Sequence, residues 1–244
     1  MLSKNEIKSI QSLRYKKSRE ETRLFVAEGP KITTELVQLV PQQVKKLYAL
    51  QGWVETNSRL ITNVEHEIIS EIELERLSQL QTPNEAVCIL HHFESNEPVI
   101  QKEIILYLDA IQDPGNFGTI VRIADWFGIK HIVCGEGCAD IYNIKVVQAT
   151  MASIARINVF YDEALQWLEK QDSPRFAATL EGQSMYAVPK IEKGIIIIGY
   201  ESKGIQPSIM ETIDQKITIP KFGAAESLNA AVATGIILSH LVRR

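Results

Sequence analysis

Four consecutive isoleucines, Ile195 to Ile198, lie between Gly194 and Gly199, and few structures accommodate such a run. β-branched side chains favour extended backbone, and successive residues of a strand point to opposite faces, so a continuous apolar run needs cover on both sides. That is the environment of an interior strand in a parallel α/β sheet. Comparable strand signals occur at 104–108, 131–134, 155–160, 176–180, 194–199 and 216–219, with helical periodicity at 116–127, 162–170 and 227–241. From about residue 100 onward, the pattern predicts a parallel sheet flanked by helices.

The preceding stretch is less regular. A helix carrying Ile7 and Ile10 leads into the basic run Arg14-Tyr15-Lys16-Lys17-Ser18-Arg19 and the apolar Leu24-Phe25-Val26. Helix-like 31–39, strand-like 47–50 and strand-like 86–91 complete a small α/β unit, and the polar stretch 93–98 reads as a connection. The expected division is a small α/β domain over 1–95, a linker over 96–103 and a larger α/β domain over 104–244. No internal repeat is apparent.

Composition narrows the function classes. Of 244 residues, 45% are hydrophobic and 23% charged, which argues against disorder and repetitive fibrous sequence. No apolar stretch reaches the roughly 18 residues of a membrane span, and MLSKNEIKSI lacks a signal-peptide core, so a cytoplasmic protein with no membrane partner is expected. Cys88, Cys134 and Cys138 are odd in number and lack further ligands at zinc-site spacing; with His91-His92 they read as structural, and no metal is expected. The net charge of -4 hides an asymmetry: residues 1–46 hold ten Lys and Arg against five acids, whereas 47–100 hold two against nine. A local basic footprint therefore coexists with an acidic total.

In a wound parallel sheet, ligands gather at the carboxyl ends of strands. Three such places stand out: Asp113-Pro114-Gly115-Asn116-Phe117-Gly118 with Arg122 one helical turn beyond Gly118; Ile198-Gly199-Tyr200-Glu201-Ser202-Lys203-Gly204; and Ile219-Pro220 followed by Ser227-Leu228-Asn229. Taken singly, the first is a loop with a solvated arginine, the second an ordinary glycine-flanked turn, and the third a helix capped by Ser227 with Asn229 in its first turn. The basic run alone reads as a solvated helix face, since Glu20 and Glu21 follow it.

Together and in this order, the three resemble the motifs of the SpoU/TrmH family of RNA ribose 2′-O-methyltransferases, in the trefoil-knotted SPOUT superfamily. Asn116-x-Gly118-x-x-x-Arg122 is similar to the first motif, Ile198-Gly199-x-Glu201 with Gly204 to the second, and Ile219-Pro220 with Ser227-Leu228-Asn229 to the third. Ser12-Leu13, Lys17, Arg19 and the stretch from Leu24 to Lys31 similarly resemble the small substrate-binding domain that precedes the catalytic domain in many members. The resemblance implies a C-terminal trefoil knot, which sequence reading alone would not propose. It implies S-adenosyl-L-methionine as cofactor, held by Gly199, Ile219 and Leu228, and a reaction site lined by Asn116, Arg122, Glu201, Ser227 and Asn229. It also implies a homodimer packed through the catalytic domains.

In that context, Arg14, Lys16, Lys17 and Arg19 are expected to contact RNA phosphates, with Tyr15 stacking on a base. Ribosomal RNA is preferred to transfer RNA because of the N-terminal domain. The departures from the family pattern are Ser202, where a glycine is common, and Gln148, Thr150 and Ala152, where arginine, serine and glycine are frequent.

The chemistry requires alignment of a ribose 2′-hydroxyl, a methyl carbon and a sulfonium, and loss of one proton. Arg122 is the family's usual base, yet a free guanidinium has a pKa above ~12, so two roles stay open: base, or anchor of the neighbouring phosphate that polarises the hydroxyl. Two other readings of the chain are an RNA-binding or ribosome-assembly factor that has lost turnover and a nucleotide-dependent oxidoreductase. A strand followed by G-x-G-x-x-G, which the latter needs, is missing.

Overall fold

The computed structural model describes residues 2–162, 164–200 and 204–242. They form two compact units, one of Met1–Glu94 with Asp140–Ala155 and one of Ser95–Ala139 with Arg156–Arg244. The sequence reading assigned 140–155 to the second domain, whereas the fold groups this segment with the first.

The first unit opens with α1 (Lys4–Ser12), whose N-cap Ser3 accepts from the Glu6 N–H at 3.1 Å, and α2 (Lys16–Thr22). Strand β1 (Leu24–Glu28), helix α3 (Pro30–Leu39), strand β2 (Val44–Ala49), helix α4 (Gln51–Thr56), strand β3 (His66–Ile68), helix α5 (Glu71–Leu77) and strand β4 (Ala86–His91) follow. The sheet order is β1-β4-β2-β3, with β4 antiparallel to both neighbours. Sequence periodicity missed α4, β3 and α5. Helix α5 is fixed by a capping box, in which the Ser70 side chain accepts from the Glu73 N–H and the Glu73 carboxylate accepts from the Ser70 N–H. Ile10, Leu13, Leu24, Val26, Leu74 and Leu77 pack together as its core.

The second unit begins with β5 (Ile104–Leu108), α6 (Pro114–Trp126) and β6 (His131–Cys134). Helix α6 starts where Asp113 accepts from the Asn116 N–H at 2.7 Å, with Pro114 in the first turn, where its missing N–H costs nothing. Helix α7 (Ile144–Thr150) belongs to the first unit. The second unit continues with β7 (Asn158–Tyr161), α8 (Gln166–Glu169), β8 (Arg175–Ser184), β9 (Gly194–Ile198), α9 (Pro207–Met210), β10 (Gln215–Thr218) and α10 (Ala230–Leu241). Its six strands run in the order β10-β8-β9-β5-β6-β7, and every neighbouring pair is parallel. All five residues of β5 and all five of β9 are buried, as their continuous apolar runs require.

The helix expected over 162–170 is confined to Gln166–Glu169. Its start is set by Asp162, whose carboxylate accepts from the N–H groups of Trp167 and Leu168 at 3.0 and 3.1 Å. Asp162 thus works as a cap ahead of the helix.

Candidate active site

Because all six strands are parallel, their carboxyl ends share one edge, and the three sequence motifs follow β5, β9 and β10 there. Asn116 lies in the first turn of α6 and Asn229 is the N-cap of α10. The Asn229 Nδ2 donates to Asn116 Oδ1 at 2.8 Å, while its Oδ1 accepts from the N–H groups of Ala231 and Val232 at 3.0 and 3.2 Å. The expected cap, Ser227, is exposed and lies two residues before the helix boundary residue. The physical reason is reach: the residue immediately ahead of the first helical N–H groups can satisfy them, and that residue is Asn229.

Arg122 is exposed on α6 and has no side-chain hydrogen bond or ion pair among the described residues. It is therefore available to a substrate. Glu201 and Ser202 lie outside the described residues. On either side of them, Tyr200 and Gly204 exchange backbone hydrogen bonds of 3.1 and 2.8 Å, which brings Gly199 close to the returning chain. A Cβ on Gly199 would stand 2.6 Å from the Gly204 carbonyl carbon and 2.7 Å from the Ile205 side chain, so glycine is required by close backbone approach. Ile219 is half-buried after β10, and Leu228 is 44% exposed just before α10. These residues present apolar surface and loop backbone along the same edge, a donor set suited to an adenosyl group with a short polar tail.

A buried carboxylate, Asp109, closes the end of β5. Burial raises its pKa above the ordinary carboxylate value, opposed by hydrogen bonds from Gln206. No sequence pattern assigns Asp109 a role, because a strand-end acid gives no sequence signal of what it caps.

In the first unit, Lys16 and Lys17 are exposed at the start of α2 and lie 3.6 and 3.9 Å from Glu20 and Glu21, one helical turn on. Arg14 and Tyr15 are also exposed. Arg19 is not: it is 3% exposed, its Nη1 donates to the carbonyls of Leu13 and Arg14, and its Nε and Nη2 donate to the Asp140 carboxylate. The expected phosphate contact by Arg19 is corrected, since a buried guanidinium committed to the Asp140 carboxylate and two carbonyls has no face left for RNA.

The three departures from the family pattern between the first two motifs also lie in the first unit. Gln148 donates from Nε2 to the Glu28 carbonyl at 2.8 Å, and the buried Thr150 hydroxyl donates to the Val147 carbonyl. Ala152, where glycine is frequent, adopts a left-handed φ of 68°, next to Met151 at 48°. His92 stacks on Tyr142 at a ring separation of 3.7 Å. Among the described residues, no group of three or more His, Cys, Asp or Glu is arranged to hold a metal, and no helix is long and apolar enough to cross a membrane.

A fully parallel sheet with three motif-bearing loops at its carboxyl edge, joined to a small mixed α/β unit, defines a class that solved structures share. An S-adenosylmethionine-bound rRNA methyltransferase from Sinorhizobium meliloti superposes with a TM-score of 0.84 at 27% identity, covering 99% of this chain and 95% of that one. A TrmH-family protein from Porphyromonas gingivalis superposes with a TM-score of 0.85 at 34% identity, covering 99% and 98%. Among curated relatives, the 23S rRNA (guanosine(2553)-2′-O)-methyltransferase RlmP of Bacillus subtilis (strain 168) is 30% identical over 98% of this chain and 97% of its own length. The SpoU rRNA methylase family matches residues 103–239 and the MRM3-like substrate binding domain matches residues 4–88. The chain belongs to the SpoU rRNA methylase family.

Proposed function

We propose that this protein transfers a methyl group from S-adenosyl-L-methionine to a ribose 2′-oxygen of ribosomal RNA. The observation that carries this reading is the Asn229–Asn116 hydrogen bond, which unites the first and third family motifs at one edge of the sheet, on the helix that also carries the exposed Arg122.

When bound, the cofactor supplies an electrophilic methyl carbon and a good leaving group in its sulfonium. Gly199, Ile219 and Leu228 hold it through loop backbone and apolar contact. Asn116, Asn229 and Ser227 would line the site and orient the ribose, Glu201 would orient Arg122, and Arg122 would grip the adjacent phosphate and polarise the 2′-hydroxyl, whose proton would pass to water as its oxygen takes the methyl and the methyl–sulfur bond breaks. Alignment of this kind is the main contribution a protein can make to such a displacement. Arg14, Lys16 and Lys17 supply phosphate contacts and Tyr15 a stacking face in a domain over 1–95, with catalysis in 104–244.

The same reading carries a trefoil knot in the second unit, a cytoplasmic location and a homodimer. The dimer is supported by α10, most of whose residues are apolar, and by the exposure of Val232 at 50% and of Trp126, at the end of the α6 helix it packs on, at 76%. Calorimetric titration of the full chain with S-adenosyl-L-methionine tests the assignment. Saturable one-to-one binding that is lost in Gly199→Ala supports it; the absence of heat in the wild type overturns it.

A further inference from the structure

The central strand β5 ends in a carboxylate that methyl transfer itself does not use. Asp109 is 1% exposed, and burying a charged carboxylate is costly unless hydrogen bonds compensate. Its compensation is unusually local. Oδ2 accepts from the Gln206 backbone N–H at 2.7 Å, and Oδ1 accepts from Gln206 Nε2 at 2.8 Å. The Asp109 backbone N–H donates to the Ile198 carbonyl at 2.8 Å. One residue therefore binds both sides of the second-motif loop: Ile198, where β9 ends, and Gln206, where α9 begins.

Two further observations point to the same place. Ala110 adopts a left-handed φ of 54°, a conformation that costs about 1 kcal/mol or more for a non-glycine residue. Gly199 also sits against Gly204 and Ile205 with no room for a Cβ. Backbone strain just after Asp109, its buried carboxylate and the forced Gly199 thus lie at the adjacent ends of β5 and β9. A carboxylate whose only task was to cap α9 would suffice with the Gln206 N–H. Here it also engages the Gln206 side chain, while its own backbone holds the opposite side of the loop.

We propose that Asp109 is a positioning residue for the methyl-donor loop, acting through Gln206 to set the separation of Ile198–Gly199 from Ile205–Gln206 and so the affinity for S-adenosyl-L-methionine. This rests on the reading of Gly199 as a cofactor contact. The role is electrostatically undemanding: an asparagine at 109 can accept the Gln206 N–H at Oδ1 and donate from Nδ2 to the Gln206 side-chain oxygen once that amide turns over. The Asp109 partner that matters is therefore the Gln206 side chain, and substitutions at the two positions should not add.

The test is calorimetric titration of the full chain with S-adenosyl-L-methionine, alongside RNA binding and thermal melts, for Asp109→Ala, Asp109→Asn, Gln206→Ala and the Asp109→Asn/Gln206→Ala double variant. Losing the buried acceptor in Asp109→Ala should weaken cofactor binding about tenfold or more, with RNA affinity within about twofold of wild type. Asp109→Asn should restore binding to within about threefold, and the double variant should be weaker than the product of its two parents because Nδ2 is left buried without a partner. If Asp109→Ala does not fold, the Asn and Gln206 variants decide the matter. Wild-type cofactor affinity in Gln206→Ala and in the double variant overturns the positioning role while leaving the methyltransferase reading intact. Failure of the wild type to bind overturns both.

Discussion

Asn229 donates from its side-chain amide to the side-chain oxygen of Asn116 across 2.8 Å, although the two residues are 113 positions apart. Each also belongs to a helix N-terminus: Asn229 caps α10, and the Asn116 N–H is capped by Asp113 in α6. Two helix starts are thereby fixed to each other by the residues that the first and third motifs supply.

Asn229→Ser separates capping from this contact. Serine is as good an N-cap as asparagine but too short to reach Asn116, so stability should change by less than about 0.5 kcal/mol. Single-turnover methyl transfer should fall about tenfold, in line with the loss of one positioned hydrogen bond. Asn229→Ala should lose the same activity and, in addition, about 1 kcal/mol of stability. Thermal melts and single-turnover rates on both variants provide the check.

Arg122 is exposed and makes no side-chain bond among the described residues, so its removal costs the fold little. Arg122→Ala should abolish methyl transfer while cofactor affinity stays within a few fold and the melting temperature is unchanged. Arg122→Lys should not rescue turnover, because lysine lacks the planar fork that engages a phosphate and a hydroxyl together. Near-normal turnover in Arg122→Ala would remove the residue from the mechanism.

The basic run of α2 divides into two kinds of residue. Neutralising Arg14, Lys16 and Lys17 should flatten the salt dependence of RNA binding, each lost phosphate contact lowering the log-log slope by up to about 0.9, with stability unaffected. Arg19→Ala should instead leave the Asp140 carboxylate without its cation and destabilise the first unit by about 3 kcal/mol. Salt-dependent RNA binding together with urea unfolding distinguishes the two effects.

Acid should destabilise the first unit through His92. Burial holds this imidazole down to about 4, aided by the positive charge of Arg23 and opposed by Asp140. As pH falls below the ordinary histidine value of about 6.5, the unfolded chain takes up the proton and the folded chain does not, so stability is lost down to about pH 4 and not further. Glu28, raised by burial, acts with the opposite sign, so the comparison must be between variants. In His92→Phe, which keeps a ring against Tyr142 but cannot titrate, the urea midpoint should fall less between about pH 7 and about pH 4.5 than in wild type.

What the sequence made legible follows from the range of the interactions concerned. Strands β5, β6 and β9 announce themselves because parallel interior strands are apolar on both faces, and β4, although antiparallel, is an interior strand buried at its first five residues. Strand β3, three residues long with Ile68 exposed, carries no such pattern. The grouping of 140–155 with the first unit depends on Arg19 meeting Asp140 and Gln148 meeting the Glu28 carbonyl, 121 and 120 residues away, and no local window contains either pair. The motif residues themselves were legible through family resemblance, but their physical duties were not. Ser227 looked like the cap of α10 until the position of the first helical residue was fixed at Ala230, and Asp109 had no duty until Gln206 came beside it.

The central claim is that methyl is placed on a ribose oxygen of ribosomal RNA, and alkaline cleavage reads that atom directly. Scission requires each 2′-oxygen to attack its own neighbouring phosphate, so methylation of one oxygen protects one linkage. Ribosomal RNA incubated with the protein and S-adenosyl-L-methionine should give an alkaline ladder with a single gap that is absent when either is omitted and absent with Arg122→Ala. Incorporation of labelled methyl into a nucleobase with an uninterrupted ladder would contradict the account.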